Sequence, residues 1–221
     1  MAVLFDLDGT LVDTAPDFHE ALITFSHEHN VMIKPEVDYE YLRNLVSNGS
    51  KSILINTLCI DSLPEYFVPS FISHYSNTCY QHSVLFPDMQ DILNTLKGNN
   101  IPWGIVTNKP HKLTTALLKV LKILPAPHCV ISGDSAPRAK PYPDPILMAC
   151  DNIKLSPENC IYVGDAKRDI DAAHSCNMPA IAVEYGYIGK DDNPKTWNAD
   201  IIVSSVKELK GELLNHFGIK S

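Results

Sequence analysis

Six short apolar runs rich in valine and isoleucine constrain this chain most: VLFD (3–6), WGIVT (103–107), HCVIS (128–132), IYVGD (161–165), AIAV (180–183) and DIIV (200–203). Each has the length of a buried strand. Between most of the later runs lie helical patterns such as KLTTALLKVLKIL (112–124) and DIDAAHSC (169–176). Strand and helix in alternation predict a parallel sheet with helices on both faces, the doubly wound, Rossmann-like α/β class. The first and second runs, however, are separated by far more sequence than one crossover helix needs. Residues 15–83 fill that interval with apolar positions at threes and fours in 15–30, 39–47, 49–60 and 63–82. Pro16 and Pro64 stand near helix starts, where a missing N–H costs least. The expectation is an inserted helical cap, residues 15–83, entered after Thr14 and left near Pro87, above a core built from 1–14 and 84–221. A chain of 221 residues, 45% hydrophobic and 20% charged, is long enough for one core domain carrying such an insertion.

The formal net charge is -8 and no stretch of lysines and arginines forms a stripe, which argues against a nucleic-acid partner. ILINTLCI and PAIAV fall short of the ~20 residues of a membrane span, so no membrane association is expected. Asp6 and Asp8 interrupt the segment where a secretory signal would continue its apolar region. Cys59, Cys79, Cys129, Cys150, Cys160 and Cys176 form no C-x-x-C pair and mostly sit in apolar periodic segments. Buried, reduced thiols and a cytoplasmic chain are the expectation.

In an open parallel sheet the loops at the carboxyl ends of the strands form the ligand crevice. The first run ends on Asp6 and Asp8, followed by the turn pair Gly9 and Thr10. The second ends on Thr107, Asn108 and Lys109, and a later one on Gly164 and Asp165, with Asp169 four residues on. Clustered carboxylates raise each other's pKa and destabilise a fold unless a cation neutralises them. Mg2+ suits such a site, because it takes oxygen ligands and combines one or two carboxylates with substrate phosphate oxygens. Asp6 and Asp165 are the expected side-chain ligands, with the Asp8 main-chain carbonyl as another. Asp169 is placed to orient the metal's waters, and it also suits an N-cap for the helix it opens. By residue usage D-x-D-G-T arises by chance in about one chain in a thousand of this length, so residues 6–10 demand a reason.

DLDGTLVDT (6–14), VTNK (106–109), KPYPDP (140–145) and VGDAKRDIDAA (163–173) stand in the order, and near the separations, of the four motifs of the haloacid dehalogenase-like hydrolase superfamily. The resemblance spans roughly residues 1–14 and 84–216. It implies that Asp6 is a nucleophile forming an aspartyl-phosphate, Asp8 a general acid and base, Thr107 and Lys140 phosphate-holding residues, and Asp165 with Asp169 the acidic metal-binding motif. Each role is chemically sound. A carboxylate nucleophile divides a hard hydrolysis into two easier steps, and Asp8 can protonate the leaving alkoxide before activating water. Lys140, stiffened by Pro141 and Pro143, and the Thr107 hydroxyl would stabilise charge on the transferring phosphoryl. Main-chain N–H groups from Leu7 to Thr10 add to that cradle, so Gly9 and Thr10 join the substrate-binding set. Asn108 and Lys109 follow Thr107 directly and are placed to reach phosphate or cap.

Dehalogenases of this superfamily do not need the second aspartate or the metal motif, so Asp8 implies phosphoryl chemistry on a small phosphorylated metabolite. A helical cap between the first two motifs resembles the phosphoglycolate phosphatase branch, which also holds sugar phosphatases and β-phosphoglucomutases. WGIVTNKP (103–110) and YGYIGKDDNPKTWNAD (185–200) are similar to N-acetylmuramic acid 6-phosphate phosphatases of cell-wall recycling. Tyr185, Tyr187 and Trp197 suit a sugar face, and equally suit packing under a loop. In the cap, Ser47, Asn48, Gly49 and Ser50 are the expected substrate contacts. Arg43, His74 and His82 are the cap residues open to a mutase-type role. A non-enzymatic phosphate-binding module on the same scaffold is the remaining alternative, and the presence of Asp6, Asp8, Thr107, Lys140 and Asp165 together weighs against it.

Overall fold

The computed structural model describes residues 1–78 and 80–219 of the chain, so Cys79 lies outside the described residues. All six apolar runs form strands: β1 (Ala2–Phe5), β4 (Trp103–Val106), β5 (Cys129–Ile131), β6 (Cys160–Gly164), β7 (Ala180–Val183) and β8 (Ile201–Val203). They make one sheet in the order β5-β4-β1-β6-β7-β8, every pair parallel. Side chains alternate across a strand, and here both faces are covered. Val3, Phe5, Ile161, Val163, Ile181 and Val183 face one buried cluster, while Ala2, Leu4, Tyr162, Ala180 and Ala182 face the other. That is why the strands read as continuous apolar runs and not as alternating ones.

The crossover helices are α5 (Met89–Gly98), α6 (His111–Leu121), α7 (Asp144–Ile153) and α8 (Lys167–His174), and α9 (Val206–Phe217) closes the chain. From β1 the chain winds to β4 and β5 on one side, then returns to β6 on the other side and continues outward. The reversal opens a crevice at the carboxyl end of β1, where ligands of doubly wound sheets bind.

A short antiparallel pair, β2 (Val12–Asp13) with β3 (Val84–Leu85), forms a stem beside that crevice. Between its strands lie α1 (Ala15–Glu28), α2 (Tyr39–Arg43), a 3-10 turn (Val46–Asn48), α3 (Gly49–Thr57) and α4 (Phe67–Thr78). The protein is thus an α/β parallel-sheet core with an inserted helical cap. Pro16 occupies the first turn of α1, as its position in the sequence predicts. The 63–82 pattern becomes a helix only at Phe67, with Pro69 in its first turn, where the missing N–H has no intrahelical partner to lose. The 39–47 pattern breaks after Arg43, and the 3-10 turn that follows carries Ser47 toward the core. Buried Asp17 pins the returning chain to α1 by accepting from the main-chain N–H groups of Gln81, His82 and Ser83 and from the Ser83 hydroxyl. Among the described residues, Cys59, Cys129, Cys150, Cys160 and Cys176 are free thiols. No helix among them is long and apolar enough to cross a membrane.

Candidate active site

Asp6 leaves β1 with its N–H donated to Val163 O of the neighbouring strand (2.9 Å), which fixes the carboxylate at the mouth of the crevice. Asp165 follows β6, and Asp169 sits in the first turn of α8. These three carboxylates are 3%, 1% and 0% exposed, and each offers an oxygen within 4.8 Å of the others. Burial, followed by the charges of Asp6 and Asp169, pushes Asp165 up to about 7. Asp169 is also raised, by burial first, with the Lys140 ammonium opposing.

Lys140 is the buried counter-charge. Its Nζ lies 3.0 Å from Asp6 Oδ1 and 2.6 Å from Asp169 Oδ1. It also donates to Val106 O (2.8 Å) and Tyr162 Oη (2.7 Å), so four oxygens share the three protons of one ammonium. The Lys140 main chain is held on both sides by one amide: its N–H donates to Asn108 Oδ1 (3.0 Å) and its carbonyl accepts from Asn108 Nδ2 (2.9 Å). Asn108 therefore lines the cavity but spends its side chain on positioning Lys140. Asp169 accepts from the Ala166 N–H (3.0 Å) through its second oxygen, so it is both a helix-start cap and the anchor of Lys140. Buried acidic oxygens that repel one another and share a single ammonium form an all-oxygen set that fits a hard divalent cation.

Asp8 stands apart from that cluster. Its Oδ1 pairs with Lys109 Nζ at 2.9 Å and accepts from the Thr14 hydroxyl at 2.7 Å. Lys109 reaches the cap as well, lying 5.2 Å from the ring centroids of both Phe18 and Tyr75. Thr107 is buried, and its hydroxyl accepts from the Lys109 N–H (3.2 Å). Gly9 and Thr10 lie behind the cavity against Asp165, so their side of the turn is positional. Thr10 Oγ1 donates to Asp165 Oδ1 at 3.4 Å. Gly9 has a φ of +82°, and a Cβ there would overlap Asp165 Oδ2.

A cavity of about 290 Å³ joins Asp6, Asp8, Thr107, Asn108 and Lys109 to Ser47, Asn48, Gly49 and Ser50 of the cap. Ser47 Oγ also donates to Asp165 Oδ2 (3.1 Å), a direct cap-to-core contact. A broader cavity of about 880 Å³ adjoins it and shares Ser47, Asn48 and Arg168. Arg43, His74 and His82 do not line the smaller cavity. Arg43 bonds the Gly186 and Tyr185 carbonyls (both 2.9 Å), His74 pairs with Glu28 (3.1 Å), and His82 gives its N–H to Asp17. Tyr185 donates to Thr10 O (3.0 Å) and Trp197 Nε1 to Asp192 (2.7 Å), while Tyr187 is buried against the start of α1 and also lines the broader cavity.

Two charged lining residues escape the sequence reading, Lys51 and Arg168. Arg168 Nε is buried without a hydrogen-bond partner, and the guanidinium faces the charges of Asp169, Asp6 and Asp165. A cation in the first turn of a helix works against the helix dipole, and that mismatch in AKRDI is the signal that marks Arg168.

The family model for haloacid dehalogenase-like hydrolases matches residues 3–183 of this chain. The N-acetylmuramic acid 6-phosphate phosphatase of Pseudomonas putida is 34% identical over 212 residues, covering 95% of this chain and 94% of that one. The phosphoglycolate phosphatase of Xanthomonas campestris pv. campestris is 37% identical over 210 residues, 94% of each chain. A solved structure of a predicted phosphoglycolate phosphatase from Haemophilus somnus aligns with a TM-score of 0.82 at 26% identity, covering 98% of this chain and 97% of that one.

Proposed function

This chain belongs to the haloacid dehalogenase-like hydrolase family, and from that premise we propose that it is a Mg2+-dependent phosphatase that hydrolyses a small phosphomonoester through an aspartyl-phosphate on Asp6. Residues 15–83 act as the cap, and 1–14 with 84–221 as the catalytic core. The observation that carries the reading is the division of labour between the two aspartates of residues 6–10. Asp6 is buried beside Asp165 and Lys140, whereas Asp8, two residues on, faces the cavity from its own pair with Lys109.

The Asp6 carboxylate attacks phosphorus, and the ester P–O bond breaks as Asp8 gives its proton to the departing alcohol oxygen. Asp8, now a carboxylate, takes a proton from the water that attacks the phosphoryl group, and Asp6 is restored. Lys140 and the Thr107 hydroxyl balance charge on the equatorial oxygens, and Asn108 and Asp169 hold Lys140 where it can do so. Asp6, Asp165 and the Asp8 main-chain carbonyl would hold Mg2+, which supplies charge neutralisation between carboxylates and phosphate. Ser47, Asn48 and Gly49 close the cavity over the alcohol portion.

The small volume of the cavity beside Asp6 and Asp8, about 290 Å³, favours a small alcohol such as that of 2-phosphoglycolate. The adjoining broader cavity favours a second reading, in which the alcohol is the amino sugar of N-acetylmuramic acid 6-phosphate. Phosphate release from the two esters side by side, with Mg2+, tests both through kcat/KM. Activity on either that vanishes in Asp6→Asn supports the reading. Activity that persists in Asp6→Asn, or is undiminished in chelator, would sink it.

A further inference from the structure

Thr14 is the N-cap of α1, yet its hydroxyl makes no capping bond. A threonine at that position ordinarily accepts from the second or third N–H of the helix. Here the hydroxyl turns away and donates to Asp8 Oδ1 at 2.7 Å. Pro16 leaves the second helical position without an N–H, and the N–H groups just before it are held by Asp13, whose Oδ1 accepts from the Ala15 N–H (3.2 Å), and by Tyr187 from the far end of the sequence. Tyr187 Oη accepts from the Thr14 N–H (2.6 Å) and the Ala15 N–H (2.9 Å), and it donates to Asp13 Oδ1 (2.8 Å). The main-chain N–H of the same residue donates to Asp165 Oδ2 at 2.8 Å. Arg43 of the cap lies 5.1 Å over the Tyr187 ring while bonding the two preceding carbonyls. The neighbouring Gly186 is packed so closely that a Cβ would overlap Asp165.

We propose that Tyr187 is a positioning residue: by holding the Thr14 and Ala15 N–H groups it fixes the backbone that aims the Thr14 hydroxyl at the Asp8 carboxylate, while its main chain fixes Asp165 in the same frame. The inference rests on the reading of Asp8 as the general acid. A buried tyrosine suits the task because its hydroxyl accepts from both N–H groups and still donates once. Burial, with the charges of Asp13 and Asp8, raises its pKa well above the ordinary phenol value and keeps that donor proton in place.

Without the Tyr187 hydroxyl, the backbone at Thr14 and Ala15 loses its anchor and the Thr14 hydroxyl is expected to lose its aim on Asp8. The loss should then depend on how much the leaving group needs a proton. Through the first irreversible step kcat/KM reports departure of the alcohol, so a poor leaving group (2-phosphoglycolate) and a good one (4-nitrophenyl phosphate) separate proton donation from everything else. Tyr187→Phe and Thr14→Val are each expected to lower the alkyl-to-aryl ratio of kcat/KM by about tenfold, within the ~100- to 10,000-fold that general acid catalysis supplies. Thr14→Ser should keep the ratio of the unaltered enzyme. The double variant should fall no further than Thr14→Val, because the two residues act in series. Equal losses on both esters in Tyr187→Phe, or an additive double variant, would overturn the inference. Asp8→Asn is the reference: a lowered ratio there beside an unchanged one in Tyr187→Phe overturns the inference alone, while an unchanged ratio in Asp8→Asn contradicts the assignment of Asp8 and overturns both.

Discussion

The Lys140 ammonium sits between Asp6 and Asp169 and gives protons to Val106 O and Tyr162 Oη, so its loss would strand two buried carboxylates. Breaking a buried ionic group from one side costs about 3–5 kcal/mol. Lys140→Met is therefore expected to lower stability by that order in urea unfolding at pH 8. Gly9→Ala should also be severe. Its φ of +82° disfavours any side chain, and the Cβ meets Asp165, so a cost of about 1–3 kcal/mol should accompany a weaker Mg2+-induced rise in Tm. Asp6, Asp8, Thr107, Lys140 and Asp165 were legible in the sequence because each follows a strand or stands in a short motif. Arg168 was not, and Tyr187 was readable only as a residue for a sugar face or for packing under a loop. What Tyr187 does depends on Thr14, Ala15 and Asp165, and no local pattern records contacts that distant.

The six strands were equally legible, because burial on both faces of a parallel sheet leaves little room for polar residues. Cap helices were readable in kind but less so in extent. α2 begins at Tyr39 because Asp38 caps it, by accepting from the Tyr41 N–H at 2.8 Å, and it stops at Arg43 because the chain must turn at once to bring Ser47 onto Asp165. That constraint is tertiary, and helical periodicity through 39–47 does not reveal it. Arg43 and Ser47 together tie this part of the cap to the core. Arg43→Ala should accelerate amide hydrogen exchange in α2 and the first turn of α3, with β1 and β6 unchanged. Uniformly faster exchange across the sheet would show that Arg43 supports the whole fold and not the cap contact.

Across the whole molecule the acidic cluster links stability to pH and to metal. The Asp165 pKa is pushed up to about 7 from a model-compound value of 3.8, so between those pH values the folded chain binds more protons than the unfolded one. Its contribution to stability is therefore present at acid pH and is lost as pH rises through about 7. A cation reverses the penalty, and it binds best once its ligands are deprotonated. Mg2+ should accordingly raise Tm more at pH 8 than at pH 5.5, and an equal rise at both would argue against a site on Asp6 and Asp165. The parallel sheet, its reversal at β1 and the inserted cap bring this charge, the paired Asp8 and the Ser47 loop to one crevice. The covalent intermediate is the centre of the account, and rapid-quench labelling tests it most directly. With 2-phosphoglycolate or N-acetylmuramic acid 6-phosphate carrying 32P, and Mg2+ present, the account predicts transient label on the protein that hydroxylamine removes and that Asp6→Asn abolishes. Phosphate release at full rate with no labelled protein, or label surviving in Asp6→Asn, would contradict it.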